Sequence, residues 1–350
     1  MTRSAIDRPK TDPTPIFEAF RGSYATELLT AAVAHFDVFR RLKDGPLSAD
    51  ALRNDLGLAD RPFIVLTTAL RALGLLSVDA EGRVGLTELA GEYLVPGAEF
   101  DVGGYVGLAA ESPGVLEMVE RLKTNRPAGQ HEDGPGAAFI YREGLESAME
   151  RESTARQLTL ALAGRARNVA PVLAERYPLS DARRVLDVGG GTGIYGIAWL
   201  QKHPELTAVV WDRPEVLKVA REMAESFGVA DRLETVPGDM FADPVPEGAD
   251  VILLSNVLHD WDVATCRDLV ARCAAALPSG GRLLIHDVFL NDALDGPLPV
   301  ALYSAALFGM TEGRAYSARE YRGWLAEAGL TPGEVVPTLI HCGVLPGVKP

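Results

Sequence analysis

From Asp181 onward the chain alternates strand and helix, and this rhythm limits the fold more than any other feature. RRVLDVG reads as a strand, YGIAWLQKHP as a helix, TAVVWD as a strand and PEVLKVAREMAESFG as a helix. LETVPGD follows as a strand, ADVILLSNVLHDW as a strand running into a loop, TCRDLVARCAAAL as a helix and GRLLIHDVFL as a strand. Near the end, SAREYRGWLAEAG is a helix with Ser317 as its cap. Alternating β and α elements imply a mostly parallel sheet covered by helices, an α/β fold. No internal repeat or low-complexity tract interrupts it.

A glycine-rich turn joins the first strand to its helix in VLDVGGGTGIYG, Val185 to Gly196. Two patterns overlap there. Gly191, Gly193 and Gly196 fit the dinucleotide fingerprint G-x-G-x-x-G, with Asp212 at the end of the next strand. Asp187, Gly189, Gly191 and Gly193 also fit D-x-G-x-G-x-G. Both let the backbone approach a ligand closely, and in both Asp212 can accept from ribose hydroxyls. The carboxylate of Asp187 separates them. It would repel a pyrophosphate, which seeks helix N–H groups, but suits a cationic ligand such as S-adenosylmethionine. The methyl donor is therefore favoured over NAD. Asp239, Met240 and Phe241, at the end of the third strand, add an acceptor for an adenine amino group and a polarisable face for the ring.

His259 follows the fourth strand and so emerges at the same carboxyl edge. A phenol has a pKa near 10 and is a poor nucleophile at neutral pH. A neutral imidazole within reach can take its proton as the oxygen attacks a methyl sulfonium. His286 and Asp287 lie at the end of the fifth strand, where alternation lets only one point toward His259. Asp287 can orient the imidazole and stabilise the imidazolium. Two His-Asp pairs at neighbouring strand ends also raise a metal site, but no ligand spacing fixes one, and no metal is expected.

The remainder is organised differently. With 350 residues the chain suggests about two domains. Its first 15 residues are polar and proline-bearing, a loose arm without the apolar core of a secretory signal. FEAFRGSYATELLTAAVAHFDVFRRL is helical by spacing. Next come a short helix capped by Ser48 and ended by Gly57, a second from about Arg61 to Leu73, and two strands, LLSV and RVGL, around a turn. That is a winged-helix arrangement. Its second helix is mostly apolar, which favours packing or dimerisation over DNA reading. A net charge of −14 also disfavours nucleic acid as a partner. Further helices run from about Phe100 to Arg165, broken by the loop NRPAGQHEDGPGAAF. The stretch from Gly296 to Thr311 is too short to span a bilayer and reads as a buried segment, so no membrane partner is expected. Cys266, Cys273 and Cys342 suit a reducing cytoplasm rather than a disulfide framework.

Taken together, DVGGGTG, the aspartate of VVWDRPEV, GDMF and HDW, in this order and spacing, resemble the small-molecule O-methyltransferases. This group includes the plant phenolic and acetylserotonin enzymes and bacterial counterparts from antibiotic pathways. The resemblance covers most of the chain. It implies a Rossmann-like class I methyltransferase domain over residues 176–350 and a mostly helical, winged-helix-like N-terminal dimerisation domain over 1–110. Linking helices and a substrate-side loop occupy 111–175.

Carried over by residue, Asp187, Gly189, Gly191, Gly193, Asp212 and Arg213 would bind S-adenosylmethionine. Asp239, Met240 and Phe241 would hold the adenine, and His259 would be the general base flanked by Asp287. Ser255 stands where plant members often have a lysine near the methionine carboxylate. Ala315 stands where a second flanking glutamate is usual, with Glu312 nearby in sequence. The acceptor pocket would draw on Phe139, Met149, Trp261, Tyr303, Leu307 and Met310, apolar residues suited to a flat small molecule. The arm at Ile16 to Tyr24 would close the partner's pocket in a homodimer. Carbon methylation, hydroxylation on the same scaffold, and an NAD-dependent oxidoreductase remain alternatives, as does a DNA-binding regulator.

Overall fold

The computed structural model describes residues 3–126 and 152–350. Along the chain these form α1 (Thr14–Arg21), α2 (Ser23–Thr30), α3 (Val38–Arg41), β1 (Leu47–Ser48), α4 (Ala49–Leu56) and α5 (Asp60–Ala72). Next come β2 (Leu76–Val78), β3 (Arg83–Leu86), α6 (Glu88–Tyr93), α7 (Gly103–Val106), α8 (Pro113–Thr124) and α9 (Glu152–Arg176). The alternating part has β4 (Arg184–Val188), α10 (Ile194–Lys202), β5 (Thr207–Asp212), α11 (Pro214–Ser226), β6 (Leu233–Pro237) and β7 (Val251–Ser255). It continues with α12 (Val263–Ala276), β8 (Arg282–Leu290), α13 (Leu298–Met310), β9 (Tyr316–Ser317) and α14 (Ala318–Glu327). Three strands close the chain: β10 (Thr331–Pro332), β11 (Val336–Pro337) and β12 (Cys342–Val348).

Two compact units divide the described residues. One lies within Ile16–Ala138 and Leu290–Ala315, the other within Met1–Pro15, Phe139–Phe289 and Tyr316–Pro350.

The first unit is mainly helical. The Ser48 hydroxyl accepts from the Ala51 N–H at 3.2 Å and starts α4, and Gly57, at φ 66°, ends it in the left-handed region. A three-stranded antiparallel sheet, ordered β1-β3-β2, follows α5; its third strand, β1, comes from the residues just before α4. Leu28, Phe39, Leu66, Leu70, Met118 and Leu122 fill the core, joined by Ala305 and Phe308 of α13. Apolar nearly all round, α13 is buried along most of its length, as such a segment must be. Its last carbonyls are taken by Arg61, whose Nη1 donates to Thr311 O at 2.7 Å and Nη2 to Phe308 O at 3.2 Å.

The second unit holds a nine-stranded sheet whose main path is β10-β12-β8-β7-β4-β5-β6. β4 pairs in parallel with β5 on one side and β7 on the other, so strand order reverses there. The crevice outside the carboxyl ends at such a reversal is where α/β sheets bind ligands. β12 lies antiparallel on β8, with Cys342 opposite Val288. Ser317 caps α14 in a reciprocal pair with Glu320.

The N-terminal segment corrects the expectation of a loose arm. The Arg3 N–H donates to Ser226 O at 3.2 Å, the Ala5 N–H donates to Gln201 Oε1 at 2.7 Å, and Ala5 is buried. The Arg3 guanidinium also lies 4.9 Å from the centre of the Phe227 ring. Backbone donors and one cation thus dock a polar segment that has no apolar periodicity. Among the described residues no helix is long and apolar enough to cross a membrane.

Candidate active site

At the reversal point β4 ends in the glycine turn. Gly189, Gly191 and Gly193 have φ of 63°, 58° and 68°, which L side chains rarely adopt. A Cβ on Gly193 would sit 2.8 Å from Val210 Cγ2, so the turn is closed to larger residues. Asp212 locks it from β5: Oδ2 accepts from the Gly191 N–H at 2.9 Å and Oδ1 from the Arg213 N–H at 2.7 Å. Burial raises the Asp212 pKa despite these two bonds.

Asp187 lies fully buried beneath the turn, and neither carboxylate oxygen has a hydrogen-bond partner. Burial, with Asp212 adding like charge, pushes its pKa up to about 8. Beyond β6 the chain turns on Asp239, whose Oδ1 accepts from the Phe241 N–H at 2.8 Å, while Arg213 Nη2 stands 3.4 Å from Asp239 Oδ2. Met240 is fixed through its carbonyl by Arg272, and its sulfur is 3.9 Å from where a Cβ on Gly189 would be. Phe241 meets Trp261 edge-on, ring centres 4.6 Å apart. An orphaned buried carboxylate, a glycine cradle, an acid at the second strand end and a polarisable face at the third fit a cationic adenosyl ligand.

After β7, Asn256 takes φ 55° and turns the chain out of the sheet into a short 3₁₀ turn, Leu258–Asp260. The turn is held by the Cys266 thiol donating to Leu258 O at 3.0 Å and by the Tyr316 hydroxyl donating to Trp261 O at 2.6 Å. His259 is buried, and its Nδ1 is 2.6 Å from Asp287 Oδ1. Because a carboxylate only accepts, Nδ1 carries the proton and Nε2 is the basic nitrogen. Asp287 also accepts from the Val288 N–H at 2.7 Å and the Tyr321 hydroxyl at 2.9 Å. On the other side of the ring Asp260 Oδ1 lies 3.6 Å from Nε2.

Burial opposes charge on His259, but Asp287 and Asp260 outweigh it and hold its pKa above the ordinary value. Burial likewise opposes charge on Asp287, yet His259 and the hydrogen bonds hold its pKa low. Burial pushes Asp260 up to about 7.

On the opposite face of β8, His286 has a different setting. Its Nδ1 is 2.8 Å from Ser255 Oγ and its Nε2 is 3.2 Å from Thr338 Oγ1; the Tyr195 ring meets it edge-on at 5.1 Å. Burial, then the charge of Arg165, lowers its pKa to about 3. Arg165 Nη1 donates to Asn256 Oδ1 at 2.7 Å. Ser255 thus lies in a half-buried polar cluster at the edge that carries the glycine turn.

The second unit therefore brings together Asp187, the three glycines, Asp212, Arg213, Asp239, Met240, Phe241, Ser255, His259, Trp261 and Asp287. Tyr303, Leu307 and Met310 lie on α13 of the helical unit, with the Tyr303 ring 3.7 Å beneath the Arg21 guanidinium. Phe139 and Met149 lie outside the described residues. Sequence reasoning did not single out Tyr321, Asp260 as a partner of His259, or the Arg165–Asn256 contact. Tyr321 is 34 residues from Asp287 and Arg165 is 91 from Asn256, separations that no local spacing rule reports.

The sequence profile of the O-methyltransferase domain matches residues 132–331. The 3-hydroxy-5-methyl-1-naphthoate 3-O-methyltransferase of Streptomyces sahachiroi is 38% identical over 341 residues, 96% of this chain and 95% of that enzyme. The acetylserotonin O-methyltransferase of Bos taurus is 31% identical over 320 residues, 89% of this chain and 90% of its own. Among solved structures, an O-methyltransferase family 2 protein from Planctomyces limnophilus, in complex with apigenin, superposes with a TM-score of 0.89 at 50% identity. It covers 100% of this chain and 99% of that one. Glycine turn, acidic strand ends and matched domain agree, and the chain belongs to the S-adenosylmethionine-dependent O-methyltransferases.

Proposed function

We propose that this enzyme methylates a hydroxyl of an aromatic or polyketide-like small molecule, with His259 as the general base. The observation that carries the reading is the 2.6 Å contact between His259 Nδ1 and Asp287 Oδ1, at the sheet edge that bears the glycine turn. When bound, S-adenosylmethionine supplies an electrophilic methyl group on a sulfonium. Asp212 would hold the ribose hydroxyls, Asp239, Met240 and Phe241 the adenine, and Asp187 and Ser255 the amino-acid end. The glycines keep the backbone clear for it, and Arg213 steadies Asp239.

His259 Nε2 accepts the acceptor's hydroxyl proton. Asp287 holds the ring in the tautomer that leaves Nε2 basic, and stabilises the imidazolium once it forms. Tyr321 steadies Asp287 from its other oxygen. Asp260, with Oδ1 3.6 Å from Nε2, adds a second carboxylate beside the ring. The chain's other contribution would be to hold the acceptor hydroxyl at Nε2 beside the bound methyl donor.

The naphthoate-methylating relative and the neighbour bound to apigenin support a flat, hydroxylated aromatic acceptor. Ile16, Phe20, Tyr105 and Leu108 in the helical unit are 71–81% exposed, which supports a homodimer through that winged-helix-like region. Three buried cysteines, none in a disulfide, support a cytoplasmic setting.

Calorimetric titration with S-adenosylhomocysteine, NAD and NADP in parallel tests the cofactor site; only the first should bind. A screen of hydroxylated aromatics, read by product mass and ether cleavage, then tests the acceptor. Carbon-methylated product, stable to ether cleavage, would overturn the hydroxyl assignment.

A further inference from the structure

Asp187 is at odds with its surroundings unless a ligand completes them. It sits in the middle of the sheet, opposite Val210 of β5 and Leu253 of β7, with no solvent exposure. Neither of its oxygens has a hydrogen-bond partner among the described residues. The backbone above it is tight: a Cβ on Gly190 would lie 2.6 Å from the Asp187 carboxyl carbon. The charged group acting on it is Asp212, another carboxylate, and the ionisable side chain from the helical layer is the Tyr195 phenol of α10. An ionised carboxylate so placed loses its hydration with nothing in return, whereas the protonated acid is tolerated.

We propose that Asp187 carries a proton in the ligand-free enzyme and releases it when the cofactor's ammonium group binds, so that cofactor binding is coupled to proton release. This rests on the cofactor reading above. The balance is simple. The neutral acid and the ammonium-bearing ligand become a carboxylate–ammonium pair, and one proton passes to the buffer. No covalent bond other than the acid's O–H is broken. A raised ligand-free pKa of about 8 fixes the direction of the pH dependence. Below it the proton must first be removed, so affinity falls by up to about tenfold per pH unit, and above it the dependence flattens.

The test is calorimetric titration of the full-length enzyme with S-adenosylhomocysteine at pH 7, in buffers of different ionisation enthalpy. The slope of apparent enthalpy against buffer enthalpy counts protons released. The expected result is close to one for the wild type, and close to zero both for D187N and for 5′-methylthioadenosine, which lacks the amino-acid end. D187N should also lose most of the affinity change between pH 6 and pH 8. No release by the wild type, or equal release by wild type and D187N, overturns the proposal. Should D187N fail to fold, the two ligands on the wild type decide: equal release with both overturns it. Absence of S-adenosylhomocysteine binding would instead overturn the cofactor reading and this inference with it.

Discussion

His259 and His286 are both buried beside the same strand, yet the protein treats them as different chemical groups. His259 lies between two carboxylates, Asp287 at 2.6 Å and Asp260 at 3.6 Å, which favour its charged form against burial. His286 lies between two hydroxyls, Ser255 and Thr338, within the field of Arg165, and burial keeps it neutral. Asp287 follows His286 directly, so the alternation of β8 sends one side chain to each setting. The comparison teaches that burial alone does not mark a base. What marks it is a carboxylate able to stabilise the proton it gains.

Exchanging the two histidines for neutral residues should separate them most strongly. H259A should bind S-adenosylhomocysteine within about threefold of wild type and lose methyl transfer by about 100-fold or more. H286Q should keep transfer within about threefold and lose about 1–3 kcal/mol of stability in urea unfolding, the cost of disturbed buried hydrogen bonds. The same loss of transfer in both variants would break the comparison.

A smaller effect is expected from D287N, about 10- to 100-fold in kcat. It should also move the acid limb of the pH–rate profile to lower pH, because the carboxylate that raises the His259 pKa is gone. Y321F, which removes one hydrogen bond from Asp287, should cost less in rate, and its acid limb should move up slightly as Asp287 becomes less acidic.

Smallest is the effect on stability against pH. A raised His259 pKa contributes stability that is complete below about 6.5 and fades as pH rises through the folded value. A lowered Asp287 pKa contributes stability present above about 3.8 and lost on acidification. The pair therefore helps most between those values, and the melting temperatures of wild type and D287N should differ most there.

Legibility followed the range of the interactions. The parallel sheet, the glycine turn, Asp212, the GDMF turn and the caps at Ser48 and Ser317 were readable because their cause lies within a few residues: periodicity, a left-handed turn, a cap. The last strand, β12, was not read. Its run CGVLPGV carries two glycines and a proline, and it is fixed by antiparallel pairing to β8 rather than by alternation. The arm around Arg3 and Ala5 has no apolar pattern, yet it is docked through backbone donors. In the site, His259 and Asp287 could be paired in advance because His259 follows β7 and Asp287 lies on the neighbouring strand, β8. Asp260 and Tyr321 as their partners could not, since a 3₁₀ turn and a helix from the end of the chain place them.

Histidine ring titration by NMR tests the central claim most directly. The chain has six histidines, and H259Q and H286Q assign the two that matter. The His259 signal should titrate above pH 6.5 and fall to lower pH in D287N, while His286 should show no titration down to pH 5. A His259 that stays neutral throughout, or a His286 that titrates near neutrality, would contradict it.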